Sequence, residues 1–398
     1  GRMMARKSGT ATSAIAGWGT SALSRAPGAS IPQLARDAVL AAIADAGLEC
    51  SDIDGLVLGQ SDNLAEQELT IAFRHSLNLN TLGLLVIDQA KGTTMLQAIQ
   101  HATMAINAGM VKNVVCVFSD TPIRQSTGAG EAFARPINIM NLPGWERGYG
   151  SFGAVAGYAL AAAAFKAKYD LDDDCFGHYA IACRKWALLA PSAFMKKELT
   201  MEAYLASKYI VDPLRLFDCA LPVNGAVAFV VTAADQASNA DHPPVYLQGF
   251  GQGHGRRSAL SALVLDQTSG AQYATDMALG MAGLAQSDID ICQLYDAFSF
   301  SGLMALEEFG FCKPGEAAGF VKEGQTSPGG VLPVNTGGGQ LSGFYLQGAT
   351  PLLEAVIQAS QNAGARQVDR HDAVFVSNSG GCLEYHATAI LSPHRVLA

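Results

Sequence analysis

Residues 46–54 read Ala-Gly-Leu-Glu-Cys-Ser-Asp-Ile-Asp, and residues 282–290 read Ala-Gly-Leu-Ala-Gln-Ser-Asp-Ile-Asp. Seven of the nine positions agree at an offset of 236 residues. Each copy closes an Ala/Leu/Met-rich helical pattern, Leu34–Ala46 in the first and Tyr273–Ala282 in the second, and each leads into an apolar run with strand character, Gly55–Gly59 and Ile291–Tyr295. A single long-period duplication cannot build an array of short repeats. The chain therefore reads as two similar α/β halves, residues 1–240 and 241–398, with Pro243-Pro244 at the seam.

Working outward, the first half predicts a strand at Ala11–Gly19, the helix at 34–46, the strand at 55–59 and a helix near Glu66–Leu77. A strand at Leu84–Asp88, a helix at Thr93–Ala108 and a strand at Val114–Ser119 follow. Such alternation predicts a parallel-rich sheet covered by helices. Residues about 120–220 break the rhythm with Gly-rich turns, an Ala-rich helix at 152–167, an amphipathic stretch at 174–190 and Pro213, and read as an inserted excursion that carries substrate contacts. The second half continues through a helix at 299–309, a Gly-rich loop at 335–343, a helix at 348–361 and strands at Ala373–Asn378 and Ala387–Leu391.

At 398 residues, 49% hydrophobic and 15% charged, the chain can bury a large core. The longest apolar stretch, Phe152 to Ala167, is Ala/Gly-rich and runs into Lys166 and Lys168, which suits a buried helix better than a membrane span. A net charge of −9 argues against nucleic acid and anionic membranes as partners, although Arg256-Arg257 offers a local basic patch for a phosphate. None of the eight cysteines has zinc-ligand spacing, and Cys116 and Cys292 sit inside apolar strands, a usage that suits a reducing cytoplasm. No signal peptide is read, and Gly1-Arg2 ahead of Met3 and Met4 resembles the remnant of a tag.

Four loops, spread in order over the chain, carry a resemblance to a known family. Ala90-Lys91-Gly92-Thr93-Thr94, with Ala108-Gly109 ending the helix after it, resembles the strand-to-helix turn Cys-Ala-Ser-Gly that carries the thiolase nucleophile. Tyr295-Asp296-Ala297-Phe298 resembles Asn-Glu-Ala-Phe. The run from Asn335 through Gly337-Gly338-Gly339 to Tyr345 and Gly348 resembles Asn-x-x-Gly-Gly with its downstream Gly-His-Pro, and Ser377-Asn378-Ser379-Gly380-Gly381 resembles Cys-x-Gly-Gly-Gly. The resemblance implies a thiolase fold, two βαβαβαββ halves in a five-layer αβαβα core with an inserted loop domain.

The departures specify the chemistry. Gly92 stands at the nucleophile position, Tyr345 at that of the catalytic histidine, Ser377 at that of the acid/base cysteine, and Gln347 where OB-fold-partnered thiolases often keep a histidine. Glycine at the turn with tyrosines in the other two loops, together with Arg215-Leu216-Phe217-Asp218-Cys219, resembles the thiolase-like aldolases that shorten steroid side chains. That resemblance implies retro-aldol cleavage of a β-hydroxyacyl-CoA, with Tyr295 and Tyr345 as catalytic residues. It also implies a homodimer joined by a small OB-fold, zinc-ribbon DUF35 subunit in a two-plus-two assembly. No cofactor is expected in this chain; CoA is part of the substrate, and any zinc belongs to the partner. Alternatives are a thiolase-like acyltransferase, which needs a cysteine at the turn, and a non-catalytic acyl-CoA or sterol carrier.

Retro-aldol cleavage needs a base for the hydroxyl, stabilisation of the leaving enolate and an acid for its α-carbon, and two phenols can divide that work. Holding a tyrosine as phenolate near pH 7 costs about 4 kcal/mol unless nearby donors lower its pKa from about 10. Further catalytic candidates are His386 and the backbone N–H groups around Gly337–Gly339, with Gly92, Asn335, Gly338 and Gly339 forming the substrate and oxyanion pocket. Gly92 is expected to leave room for a bulky β-carbon, and Met140, Leu142, Trp145 and Trp186 to line the pocket.

Overall fold

The computed structural model describes residues 10–61, 69–125, 148–150, 153–255 and 270–397. The strands among the described residues are β1 (Ser13–Thr20), β2 (Gly55–Gln60), β3 (Leu84–Asp88), β4 (Asn113–Asp120), β5 (Tyr209–Val211), β6 (Leu214–Arg215), β7 (Gly225–Ala233), β8 (Val245–His254), β9 (Ile291–Gln293), β10 (Val374–Gly380) and β11 (Tyr385–Ser392). Nine form one mixed sheet in the order β3-β2-β4-β7-β1-β8-β11-β10-β9, and β5 and β6 make a separate hairpin. Helices flank the sheet, which gives a mixed α/β fold of the thiolase type.

The nine-residue repeat performs the same task twice. Gly47 and Gly283, with φ of 68° and 72°, end helices Ile31–Asp45 and Gly270–Ala282 in the left-handed conformation that glycine adopts without strain. Asp52 accepts the N–H of Glu49 and Asp288 that of Ala285, both at 2.8 Å, closing a short turn before a buried isoleucine. Asp54 then accepts the N–H of Asn113 at 2.9 Å, and Asp290 that of Ala373 at 3.1 Å. Each copy thus stops a helix, turns the chain and ties down the entry to a later strand, β4 or β10.

Most elements lie within a few residues of expectation, and β3 coincides with it. Strands β7 and β8 and helices Met201–Ala206 and Ala317–Lys322 are additions. The helix expected near Glu66–Leu77 is described only as Phe73–Ser76, because residues 62–68 lie outside the described residues, as do Arg256-Arg257, Met140, Leu142, Trp145 and the leading residues. The strand expected to reach Tyr295 ends at Gln293, since Asn335 takes the place of a neighbouring strand. Its Oδ1 accepts the N–H of Leu294 at 2.6 Å, and its Nδ2 donates to the Leu294 carbonyl at 3.1 Å. Trp186 is a buried side chain whose indole N–H donates to the Thr326 carbonyl at 2.8 Å.

The excursion is fused to the core. Phe165 and Phe176, on helices Gly153–Lys168 and Cys175–Ala187, both meet Phe300 edge-on, at 5.5 and 6.1 Å. No helix among the described residues is long and apolar enough to cross a membrane.

The loop that carries Asn335 rests on a buried ion pair. Arg366 Nε meets Glu354 Oε1 at 2.9 Å, and the same oxygen accepts the Thr336 hydroxyl at 2.7 Å. Arg366→Met leaves that carboxylate buried without its cation, so it is expected to destabilise the protein by about 3–5 kcal/mol. Urea unfolding followed by circular dichroism measures the loss.

Candidate active site

The turn at Gly92 is tied at three points. Thr93 Oγ1 donates to the Ala90 carbonyl at 2.6 Å, Thr94 Oγ1 donates to the Lys91 carbonyl at 2.8 Å, and the Ala90 N–H donates to Thr94 Oγ1 at 2.9 Å. Helix Thr94–Asn107 begins there, and Asn378 of β10 accepts the Leu96 N–H at 3.2 Å while donating to the Gly348 carbonyl at 3.2 Å. The first, third and fourth loops of the sequence reading therefore meet at one point.

Gly92 is buried, and the space above it is taken. A Cβ built there would fall on the Ser379 carbonyl oxygen and lie 2.7 Å from both Cζ and the hydroxyl oxygen of Tyr295. The expected room for a substrate carbon is thus corrected: the tip of a phenol fills it. That phenol is held from both ends. The Tyr295 backbone N–H donates to Ser377 Oγ at 3.2 Å, and its hydroxyl lies 2.8 Å from the Tyr345 hydroxyl, with the two rings edge to face at 6.2 Å. Tyr345 comes from a loop stitched to residues 221–223, donating its N–H to the Leu221 carbonyl at 2.8 Å and accepting from the Val223 N–H at 3.4 Å. Tyr295 is buried and Tyr345 half-buried, so the pair runs from the core toward the surface.

The other expected site residues have different tasks. Gly338 donates its N–H to the Asn335 carbonyl at 2.9 Å, and the Gln340 N–H donates to Asp296 Oδ1 at 2.8 Å, so the Gly-rich loop spends these N–H groups internally rather than on an oxyanion. A Cβ at Gly339 would land on Asp296 Oδ2, which explains glycine there. Asn335 also donates to the Tyr179 hydroxyl at 3.1 Å, and Tyr179 donates to Asp296 at 3.1 Å. Asn335, Gly338 and Gly339 hence form the housing of a wholly buried aspartate. Burial pushes the Asp296 carboxyl up to about 7, against hydrogen bonds from Gln340, Asn335, Tyr179 and Cys183 that lower it. His386 is buried on β11 opposite Ser379, with Nε2 3.2 Å from the Leu383 carbonyl. In the Arg215–Cys219 segment, Asp218 accepts from Tyr204 at 2.7 Å, from Ser299 at 2.5 Å and from the Arg215 N–H at 2.7 Å, pinning the start of helix Ser299–Glu308.

The sequence reading missed Tyr158. It lies on helix Gly153–Lys168, is 3% exposed and packs its ring 4.7 Å from Phe298. The signal available was one hydroxyl on a helix face otherwise made of Gly157, Ala161, Ala162 and Phe165.

Fold and site together define a thiolase-type protein whose turn at Gly92 has no side chain and whose loops bring two phenols into hydrogen-bonding contact. The family model described as Thiolase C-terminal domain-like matches residues 251–393. The chain is 34% identical over 357 residues to the steroid side-chain-cleaving aldolase of Thermomonospora curvata, covering 86% of this chain and 89% of that one. It is 33% identical over 359 residues to the 17-hydroxy-3-oxo-4-pregnene-20-carboxyl-CoA lyase of Mycobacterium tuberculosis, covering 87% and 90%. The solved structure of the Ltp2-ChsH2(DUF35) aldolase superposes with a TM-score of 0.87 at 31% identity, covering 98% of this chain and 99% of that one. The chain belongs to the steroid side-chain-cleaving aldolases of the thiolase superfamily.

Two predictions follow from this geometry. Gly92→Ala forces both the Ser379 carbonyl and the Tyr295 ring to move, so it is expected to lower stability by about 1–3 kcal/mol, as overpacking does; a crystal structure of the variant should show the Tyr295–Tyr345 contact displaced. Because Asp296 holds its proton to about 7 when folded, the native state keeps a proton that the unfolded chain releases near pH 4. Its contribution to stability is therefore lost as pH rises from about 4 to about 7. Asp296→Asn should flatten the melting temperature across that range, and an unchanged slope would assign the effect to other groups.

Proposed function

We propose that this chain is an aldolase that cleaves a β-hydroxyacyl-CoA, with a steroid or bile-acid side chain as the substrate class, to a ketone or aldehyde and acetyl- or propionyl-CoA. The observation that carries the reading is the 2.8 Å contact between the Tyr295 and Tyr345 hydroxyls above a turn with no nucleophile. Tyr345, the half-buried member, takes the hydroxyl proton as base. The C–O bond becomes a carbonyl as the Cα–Cβ bond breaks, and that electron pair moves into the thioester as an enolate. Tyr295 then delivers a proton to the α-carbon. One proton passes from oxygen to carbon, no redox partner is required and no acyl-enzyme forms. The pairing also supports the base: a hydrogen bond to a charged group contributes about 1.5–3 kcal/mol, which offsets much of the roughly 4 kcal/mol needed to hold a phenolate at pH 7.

The acyltransferase alternative needs a thiol where no Cβ fits, and nothing in the site favours a carrier over an enzyme. The assembly we propose is a homodimer carrying an OB-fold, zinc-ribbon DUF35 subunit in a two-plus-two complex, in the cytoplasm. The zinc belongs to that subunit. Each chain would contribute two thiolase-like halves, divided near residue 240, to a five-layer core. Edge strand β3 supports self-association, since it exposes Leu85 and Ile87 at the end of the sheet.

Tyr345→Phe and Tyr295→Phe should each lower kcat/KM by about 10²–10⁴-fold with little change in stability. With the released acyl-CoA alone in deuterated water, α-proton exchange should survive in Tyr345→Phe and stop in Tyr295→Phe. A Tyr345→Phe enzyme that keeps more than about a third of wild-type kcat/KM overturns the mechanism. Ile87→Glu should shift the mass seen by light scattering toward the monomer; an unchanged dimer mass places the interface elsewhere.

A further inference from the structure

We infer that Gln340 is a positioning residue of the site: its side-chain amide holds the turn that follows Tyr345 and thereby sets where the Tyr345 phenol stands against Tyr295. The inference rests on the aldolase reading above and adds to it a residue that acts through its neighbours. Gln340 is wholly buried in the single π-helical turn Gly339–Gly343. Its Nε2 donates to the Gln347 carbonyl at 2.7 Å, while its Oε1 meets no donor among the described residues. That pattern fixes the orientation of the amide, since turning it over would set two carbonyl oxygens against each other. A buried acceptor without a partner is destabilising, and a methionine would fill nearly the same volume without it. What the glutamine adds over a methionine is the one N–H···O bond to residue 347.

Residue 347 is where such a bond matters. Gln347 has a φ of 47°, in the left-handed region that residues other than glycine adopt only with strain. Its own amide reaches Ser61 Oγ at 3.5 Å, a weak contact, so the turn is held through its carbonyl, which accepts the Thr350 N–H at 3.3 Å and the Gln340 amide at 2.7 Å. On the far side of that peptide, a Cβ at Gly348 would fall on Asn378 Oδ1 and on the Gly92 carbonyl oxygen, so the turn is seated directly against Gly92. Gln340 also governs the chain ahead of Tyr345. Its carbonyl accepts the Leu221 N–H at 2.9 Å, and the Leu221 carbonyl accepts the Tyr345 N–H at 2.8 Å. Its own N–H goes to Asp296, the neighbour of Tyr295. One residue thus grips Tyr345 from both sides and is bonded to the residue beside Tyr295, and the side-chain tie is the one that a substitution can remove.

Gln340→Met keeps the volume and removes the bond. The expected result is a folded enzyme whose kcat falls on the order of 10²-fold, as misplacing a reacting group by about 1 Å does, with KM for the acyl-CoA within about twofold of wild type. Gln340→Glu tests the donor itself. A buried carboxyl keeps its proton above the ordinary value of about 4.3, and the protonated acid donates to the Gln347 carbonyl as the amide does. The ratio of its kcat to that of wild type should be close to one at the acid end of the profile and fall as pH rises and the carboxyl ionises, because a carboxylate repels the carbonyl it faces. Asp296, bonded to the Gln340 N–H, titrates in both enzymes, so the ratio removes its share. The Gln340→Met ratio should stay low at every pH. A Gln340→Met kcat within about twofold of wild type, a loss that only tracks the folded fraction, or a Gln340→Glu ratio that is flat with pH overturns the positioning role; if Gln340→Met does not fold, the Gln340→Glu ratio decides. Tyr345→Phe run alongside separates the two claims: near-wild-type activity there defeats the aldolase mechanism, whereas a dead Tyr345→Phe beside an unimpaired Gln340→Met defeats only the role given to Gln340.

Discussion

The site depends on one steric exclusion: at the start of helix Thr94–Asn107, the Ser379 carbonyl and the Tyr295 ring close over residue 92 so tightly that a single methyl group cannot stand there. Neighbouring loops are arranged around that contact. Asn378 ties β10 to the helix and to Gly348, Ser377 holds the backbone of Tyr295, and the Leu221–Val223 segment holds Tyr345. Four loops from distant parts of the chain converge because each supplies a hydrogen bond that keeps the phenol pressed onto the glycine. Packing here leaves no space for a side chain at 92, since the Ser379 carbonyl and the Tyr295 ring both stand where its first carbon would go.

Behind this front lies a second, electrically quieter layer. Asp296 is surrounded by donors from Gln340, Asn335, Tyr179 and Cys183, and the loop that supplies two of them rests on Arg366 and Glu354. An ionised carboxylate in that position would be expensive without those donors. The consequence is stiffness: the residue next to Tyr295 is bonded on both oxygens, so the phenol is carried by a backbone that has little freedom to swing.

Much of the fold was legible in the sequence because local patterns and tertiary needs agree. The 46–54 and 282–290 copies encode a helix stop, a turn and an aspartate tie, and strand β3 alternates between half-buried and exposed residues. Strand β7, Gly-Ala-Val-Ala-Phe-Val-Val-Thr-Ala, lacks such alternation since both its faces are covered, and periodicity alone does not separate it from a buried helix. The pairing of Tyr295 with Tyr345 was expected only in outline, from loop resemblance. The parts that needed three dimensions were the occupied space over Gly92 and the hydrogen bonds by which Asn335 and the Gly-rich loop enclose Asp296. Each depends on what a distant side chain does with a lone pair or a volume, and no spacing in the chain records that.

The crowding at residue 92 also reaches beyond the tyrosine ring. On this backbone a side chain at 92 meets the Ser379 carbonyl before it meets the Tyr295 ring, so a sulfur-bearing residue there requires the 377–381 strand end to shift as well as the ring. The identity of residue 92 is therefore coupled to the backbone course of a segment almost three hundred positions away, and not to the aromatic residue alone.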